Sequence, residues 1–142
     1  MGSGTSIRYS NPPDAPAPVG QYTNIAVVPP GASTIYVAGQ LPTDENGEVV
    51  APGDFERQAE LVFERLAGAL RSVNSSLREV VQIRAYFVDD AHFPLFREAR
   101  LRAFERHQVR DPAPATTIVV KGLYGGSLIE LDAVAVAPAP RD

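Results

Sequence analysis

The sequence predicts one α+β domain in which two amphipathic helices pack on one face of a mixed or antiparallel sheet. First, the chain has 142 residues, of which 44% are hydrophobic and 21% charged, as in a single globular domain. Second, two segments space their apolar residues three and four apart, as on one face of a helix. Third, several shorter runs favour strands, and two helices cover only one face of the resulting sheet. The other face needs a cover, and self-association is the simplest one.

The first 18 residues are rich in proline. Four prolines lie within residues 11–18, and their fixed φ and missing N–H group suit neither a helix nor a central strand. We therefore predict a flexible N-terminal arm at residues 1–18, a single domain at residues 19–138 and a short C-terminal tail at residues 139–142.

Two β-favouring runs follow the arm. Residues 25–28 and 34–38 favour strands, and the sequence Pro29-Pro30-Gly31 between them favours a turn. This order predicts a β-hairpin. A second turn signal at residues 45–47 precedes a predicted short strand at residues 48–50.

The first amphipathic helix is predicted at residues 55–73, with Asp54 as its N-cap. Its apolar positions are Phe55, Ala59, Val62, Phe63, Leu66, Leu70 and Val73. Residues 81–87 then alternate apolar and polar side chains, as a half-buried strand does, and Asp89-Asp90 ends that strand.

A second, shorter helix is predicted at residues 92–107, where Pro94 fits only in the first turn. Two strands follow at residues 116–120 and 128–137, and the glycine-rich residues 122–126 predict the turn between them. The chain therefore alternates strands and helices after its first three predicted strands.

The composition argues against several classes of function. Without cysteine, the chain has no disulfide, thiolate metal site or cysteine nucleophile, and we expect it in the cytoplasm. A net charge of −4 disfavours nucleic acid as a partner, because phosphate contacts supply most non-specific affinity. Glu130 and Asp132 interrupt the longest apolar run, so no membrane span is expected. Zinc-ligand spacing and nucleotide-binding glycine motifs are missing from the sequence, so we expect neither a metal nor an organic cofactor.

Two carboxylates on the last predicted strand are candidates for acid and base chemistry. Glu130 and Asp132 alternate with apolar residues, so they share one face, with Cα atoms roughly 6.6 Å apart. Two interpretations stand: the pair divides acid and base roles, or it lies on a solvated strand face.

Five arginines lie on or just after the second predicted helix. They are Arg97, Arg100, Arg102, Arg106 and Arg110, and acidic residues are mixed among them. This charge pattern is typical of an exposed helix face with salt bridges, and a nucleic-acid surface would carry fewer acids and interleaved aromatic residues.

Several motifs in order along the chain resemble the RidA superfamily, also called YjgF/YER057c/UK114. They are an early Gly-x-Tyr turn at residues 20–22, the Gly-Gln-x-Pro signature at residues 39–42, Gln58 with the following helix, residues 80–81 and 89–90, and the closing strands at residues 116–120 and 128–135. The resemblance covers nearly the whole predicted domain.

The resemblance implies a chorismate-mutase-like fold of the bacillus type, assembled as a homotrimer with a small-molecule cleft at each subunit boundary. In the best-known branch of the family, these clefts hydrolyse reactive imines or enamines of amino acids to 2-oxo acids and ammonia, without a metal or an organic cofactor. The implied partners are therefore further copies of the chain and a small metabolite.

Two of the family's site positions are retained. Tyr22 matches its pocket tyrosine, and Glu130 matches the acid proposed to position or activate the hydrolytic water. Gly39 of the Gly-Gln-x-Pro signature is a further candidate for substrate binding.

Other site positions depart from the family. The deaminase branch clamps the substrate carboxylate with an arginine before the threonine-rich strand, and Ala115 stands there, or Thr116 if the alignment shifts by one residue. Ala38 replaces a pocket serine, and Arg97 replaces a helix asparagine. Neither alanine nor threonine reproduces the two parallel hydrogen bonds of a guanidinium. Arg97 either restores a cation from the helix side or lies on the surface.

Three hypotheses about function follow. The first is a hydrolase of imines or enamines, or a related catalyst with an altered substrate. The second is a non-catalytic trimer that binds and reports a metabolite, which the missing arginine favours. The third is a ribonuclease or translation inhibitor, which the negative charge of the chain disfavours.

Overall fold

The computed structural model describes residues 6–138, which contain six strands and two α-helices in the order β-β-β-α-β-α-β-β. The strands are β1 (Arg8–Ser10), β2 (Ile25–Val27), β3 (Ser33–Gln40), β4 (Val80–Phe87), β5 (Ala115–Val119) and β6 (Ile129–Ala137), and the helices are α1 (Phe55–Arg71) and α2 (Phe93–Arg106). The predicted tail at residues 139–142 lies outside the described residues.

Helix α1 begins where its N-cap was predicted. The Asp54 carboxylate accepts a hydrogen bond from the backbone N–H of Arg57 at 3.1 Å, which satisfies one of the free donors of the first turn. The predicted apolar stripe is buried as far as Leu70. The helix ends two residues before the predicted Val73, because the chain turns at Asn74, where φ is +61°.

Strands β3, β6, β4 and β5 lie side by side in that order and form one mixed sheet. The β3–β6 and β6–β4 pairs are antiparallel, and the β4–β5 pair, connected through α2, is parallel. Both helices pack on one face, where Ile129, Leu131, Ala133 and Ala135 of β6 are all buried. The predicted mixed sheet with two helices on one face is therefore confirmed.

The predicted hairpin between residues 25–28 and 34–38 is wrong. Strand β2 pairs instead with β1, which lies inside the segment predicted as a flexible arm, and β3 pairs with β6. The Tyr9 hydroxyl holds this two-stranded ribbon against the domain by donating a hydrogen bond to the Val80 carbonyl at 2.7 Å. The prolines between β2 and β3 thus redirect the chain from one sheet to the other.

The predicted short strand at residues 48–50 is reduced to one bridge between Thr43 and Val49. The loop folds on itself through Asp44, whose carboxylate accepts hydrogen bonds from the backbone of Asn46 and Glu48. The Asp44 side chain therefore forms hydrogen bonds with backbone N–H groups that would pair with a neighbouring strand if this strand were longer.

The face of the main sheet that points away from the helices carries both polar and large apolar residues. On its edge strands the Tyr36 side chain is 80% exposed and Ile118 is 38% exposed. Between them lie Glu130 and Asp132 of β6, as their alternation with buried residues predicts. Within residues 6–138, neither helix is long and apolar enough to cross a membrane.

Candidate functional site: a cleft beside α2 and a carboxylate over Gly39

A cleft of about 250 Å³ lies between α2, the edge strand β5 and the loop around Tyr22. Its lining residues are Val19, Gly20, Tyr22, Phe93, Phe96, Arg97, Arg100, Ala115 and Thr117. The fold thus brings together three of the predicted site residues, Tyr22, Arg97 and Ala115, with Arg100 of the arginine run. Pockets for drug-sized ligands measure about 300–1,000 Å³, so this cleft suits a small metabolite.

The geometry of each element explains which side chains reach the cleft. Helical positions three, four and seven apart share one face, so Phe93, Phe96, Arg97 and Arg100 point in the same direction. On β5, alternation directs Ala115 and Thr117 to this side and Thr116 to the opposite face of the sheet, where it is exposed. Thr117, rather than Thr116, therefore lines the cleft.

The loop that carries Tyr22 is held by local hydrogen bonds. The Tyr22 backbone N–H donates to the Gly20 carbonyl at 3.1 Å, and the Val19 N–H donates to the Tyr22 hydroxyl at 3.4 Å. The Thr23 hydroxyl donates to the Pro112 carbonyl at 2.9 Å, which ties the loop to the segment before β5. The Tyr22 side chain thereby lines the cleft together with residues of α2 and β5.

Arg100 differs most from the sequence-based expectation. Its side chain is only 7% exposed, and the guanidinium carbon lies 5.1 Å from the centre of the Phe96 ring. Burial lowers the pKa of Arg100, and the neighbouring charge of Arg97 lowers it further. A signal for this placement exists in the sequence, because position 100 falls between Phe96 and Phe104 at helical spacing and so lies within the apolar stripe.

The rest of the arginine run agrees with the predicted exposed helix face. Arg106 lies 2.5 Å from the Glu64 carboxylate of α1, and Arg102 lies 4.0 Å from Glu98. Arg97 is exposed at the rim of the cleft. Arg97 therefore lies on the surface, as one interpretation has it, and also borders the cleft, as the other requires.

The two candidate carboxylates of β6 have different environments. Asp132 accepts hydrogen bonds from Arg84 Nε at 2.8 Å and from the Tyr86 hydroxyl at 2.8 Å. A second guanidinium nitrogen of Arg84 lies at 3.2 Å, so Asp132 forms a two-point ion pair. Burial raises the pKa of Glu130, and the nearby Asp132 charge raises it further. Asp132 is thus held by Arg84 and Tyr86, and Glu130 is the carboxylate whose pKa is raised.

Gly39 is required by the close approach of Glu130. The β3–β6 register shifts between Val37 and Gln40, and there the backbone of Gly39 lies under the Glu130 side chain. A Cβ atom on Gly39 would overlap Glu130 Oε2 and would lie 2.7 Å from Cδ. Ala38, the neighbouring residue, is exposed on β3. The glycine of the predicted signature therefore makes room for the carboxylate.

Replacing Gly39 by alanine is expected to destabilise the fold by about 1–3 kcal/mol, because the added methyl group must displace Glu130 or the β3 backbone. Removing the clash with Glu130→Ala in the same chain should restore part of the loss. Thermal unfolding at one protein concentration measures both effects. Gly122→Ala is the matched control, because a Cβ there meets nothing within 4 Å. Equal melting temperatures for Gly39→Ala and Gly122→Ala would contradict this explanation.

A buried glutamine fixes the start of β6, and with it the position of Glu130. The Gln58 side chain is 0% exposed; its Nε2 donates to the Ala51 carbonyl at 3.0 Å, and its Oε1 accepts from the Leu128 N–H at 2.8 Å. These two bonds connect the loop before α1 to the entry of β6.

The cleft and the Glu130 carboxylate lie on different sides of the sheet. Tyr86 of β4 pairs with Glu130 and faces away from the helices, whereas Ala85 pairs with Thr117 and faces toward them. Within residues 6–138, Glu130 does not line the Tyr22 cleft. The same residues contain no group of three or more His, Asp or Glu side chains placed to hold a metal ion.

The fold and the cleft define a small α+β protein with a metabolite-sized cleft at the edge of a mixed sheet. The family model described as Endoribonuclease L-PSP matches residues 12–137, and the chain belongs to this family. The resemblance to the RidA superfamily is confirmed, since the matching proteins include RutC family proteins and a structure of the Rid family.

Three comparisons show how close these relatives are. A RutC family protein of Pyrococcus abyssi is 34% identical over 123 residues, which are 85% of this chain and 90% of that protein. The 3-aminoacrylate deaminase RutC of Acinetobacter baylyi is 32% identical over 102 residues, which are 71% of this chain and 77% of the relative. The crystal structure of YyfB from Yersinia pestis, a Rid family protein of unknown function, superposes with a TM-score of 0.80 at 26% identity and covers 92% of this chain and 98% of its own.

Proposed function

We propose that the protein is a cofactor-independent hydrolase of enamines or imines, which it converts to a carbonyl compound and ammonia. The observation that carries the proposal is the Glu130 carboxylate, held over Gly39 at the sheet surface with a raised pKa. A carboxyl group whose pKa is moved toward the working pH is suited to accept and return a proton. The relative named 3-aminoacrylate deaminase supports this reaction class.

The proposed chemistry needs one water molecule and one proton relay. Glu130 accepts a proton from water as the water oxygen bonds to the imine carbon and the C=N bond becomes a C–N bond. Glu130 then returns this proton to nitrogen, which gives a carbinolamine. The second proton of the water, now on the hydroxyl group, passes through Glu130 to the same nitrogen as the C–N bond breaks, so ammonia leaves and the C=O bond forms. The sum is R₂C=NH + H₂O → R₂C=O + NH₃, so no oxidant or metal enters the balance. An enamine follows the same path after protonation at carbon.

The proposed active unit is a homotrimer of the chorismate-mutase-like type, with a cleft at each subunit boundary. In one chain, Tyr22 and Glu130 lie on different sides of the sheet, so a single small molecule does not contact both. A second copy that packs against the sheet face bearing Tyr36 and Ile118 brings its own carboxylate toward the open side of the cleft. Closed association of identical chains is the usual way to bury such a face.

Ammonia release from freshly generated imines and enamines of small amino acids tests the proposal directly. We expect the protein to accelerate release over the buffer rate, with 3-aminoacrylate among the substrates. A rate equal to that of heat-denatured protein for every imine and enamine tried would reject the proposal.

The pH dependence of turnover should report Glu130. The carboxylate form accepts the proton, so the rate should fall as the pH drops through the pKa of Glu130, which burial and Asp132 raise above the ordinary glutamate range. Asp132→Asn removes one of these causes and should move the falling limb to lower pH. A pH–rate profile measures both effects. If the fall in rate occurs at the same pH in Asp132→Asn and in the wild type, Glu130 is not the group that causes it.

A non-catalytic, metabolite-binding trimer is the second candidate. Ala115 favours it, because this residue of the cleft wall lacks the guanidinium that clamps a substrate in the deaminase branch. Thermal stabilisation by a small carboxylate without turnover on any imine would support this candidate. RNA cleavage is disfavoured by the net charge of −4.

A further inference from the structure

Arg100 is the one charged residue that is buried within residues 6–138. It projects from α2 into the Tyr22 cleft, where its guanidinium packs on the Phe96 ring. The Gly20 backbone lies against it closely enough that a Cβ on that residue would lie 3.2 Å from Nη2. The side chain is therefore held by the cleft walls, with its charged end at the cleft.

No carboxylate in the described part of the chain neutralises this guanidinium. The ion pairs of residues 6–138 involve Arg57, Arg84, Arg102, Arg106 and His107. Arg100 Nε is buried without a hydrogen-bond partner, and the neighbouring charge of Arg97 is of the same sign. An arginine keeps its proton at physiological pH, so the cost of burying this charge is not relieved by deprotonation.

We propose that Arg100 is the anion-binding residue of the Tyr22 cleft and binds the carboxylate of a small organic acid, in place of the arginine missing at Ala115. The guanidinium fork matches a carboxylate through two parallel hydrogen bonds, and the hydroxyls of Tyr22 and Thr117 add donors beside it. The small side chain of Ala115 leaves the space that an arginine there would fill. The inference rests on the proposed function, because the carboxylate would belong to its substrate.

Binding of pyruvate, a 2-oxo acid of the kind that the proposed reaction releases, tests the inference without turnover. Isothermal titration calorimetry should show binding of pyruvate and at least about 30-fold weaker binding of methyl pyruvate, which has the same carbon skeleton and no charge. Arg100→Met should weaken pyruvate binding by at least about 30-fold. Arg102→Met, the matched control, changes an exposed arginine of the same helix that lies 4.0 Å from Glu98, and it should change pyruvate affinity by no more than about threefold.

A relocated arginine gives a sharper test. Ala115→Arg in the Arg100→Met chain should restore most of the pyruvate affinity, because the cation returns to the same cleft from β5. The same Ala115→Arg change in the wild-type chain places two guanidinium groups together and should not improve binding. Loss of binding in Arg100→Met with recovery in the double variant would show that the charge, and not the packing of α2, is what the ligand recognises.

Stability separates a binding role from a structural one. Removing a buried and unpaired charge should leave the melting temperature of ligand-free Arg100→Met unchanged or higher. Pyruvate should raise the melting temperature of the wild type and not that of the variant. A ligand-free Arg100→Met that melts lower while still binding pyruvate like the wild type would assign Arg100 a structural role and overturn the inference.

The outcomes also separate this inference from the proposed function. Arg100-dependent pyruvate binding without hydrolysis of any imine would keep the anion site and reject the hydrolase. Imine hydrolysis with unchanged KM in Arg100→Met would keep the hydrolase and reject the anion site. Equal affinity for pyruvate and methyl pyruvate would reject the anion site whatever the enzyme activity.

Discussion

Glu130→Gln is expected to lower the rate of ammonia release from imines by at least about 100-fold, the usual contribution of a positioned general base. The amide keeps the shape of the carboxyl group over Gly39 and cannot accept the proton of the attacking water. Because the change removes a transition-state interaction, kcat should fall more than KM rises. Steady-state assays with freshly generated imine measure the two constants separately.

The control for this loss is a carboxylate away from the site. Glu105→Gln changes an exposed residue near the end of α2 and should leave the rate within about twofold of the wild type. Wild-type rates in Glu130→Gln would remove Glu130 from the mechanism.

Folding stability should not explain the loss. Because the pKa of Glu130 is raised in the folded protein, folding favours its protonated form. That stabilisation is complete at pH values below the unfolded pKa and is lost as the pH rises through the folded one. The permanently neutral glutamine should therefore be at least as stable as wild type at pH 7, which thermal unfolding checks.

The secondary structure could be predicted because its signals are local. Helix α1 follows from a stripe of apolar residues three and four apart, and β6 follows from strict alternation between residues 129 and 135. Strand pairing is not local. Residues 25–28 look like the first strand of a hairpin, yet β2 pairs with β1 because Tyr9 ties that short strand to the domain. The sequence pattern of one strand does not predict which distant strand will pair with it.

The sequence motifs name individual candidate residues and do not show how these residues are arranged in space. The structure places Tyr22 and Ala115 in one cleft and Glu130 against Gly39, and within one chain Tyr22 and Glu130 lie on different sides of the sheet. The sequence alone predicts that Arg100 is exposed like the other arginines of α2, because a charged residue on a helix usually faces water. Its burial depends on α2 lying across the edge of the sheet, which composition and periodicity do not describe.

If Tyr22 and Glu130 act on one substrate, their separation on two sides of the sheet gives the proposed association of chains a chemical role. Within one chain, the cleft offers binding groups and the Gly39 region offers a carboxylate, and they lie on different sides of the sheet. A protomer alone would then bind a ligand without acting on it. We therefore expect the activity per chain to fall when the protein is diluted below the dissociation constant of the proposed trimer.

Glutamate at Tyr36 or Ile118 is expected to separate the proposed trimer into protomers of 15.2 kDa and to reduce hydrolysis as strongly as Glu130→Gln does. Both residues lie on the edge strands of the uncovered face, where association would bury the new charges without partners. Light scattering after size exclusion measures the mass. Tyr124→Glu is the matched control, because Tyr124 is 62% exposed in a loop outside the sheet. Full activity in a variant of protomer mass would contradict a shared site.

Mixing two inactive variants tests whether neighbouring chains share each site. Glu130→Gln retains an intact cleft, and Tyr22→Ala retains an intact carboxylate while losing the phenol ring of the cleft. In trimers assembled at random from equal amounts of both, roughly a quarter of the sites combine a wild-type cleft with a neighbour's wild-type Glu130. Activity should therefore recover to that fraction of the wild-type rate. Mixed trimers that stay inactive would mean that Tyr22 and Glu130 act within one chain or do not act together, and either result would require a different site.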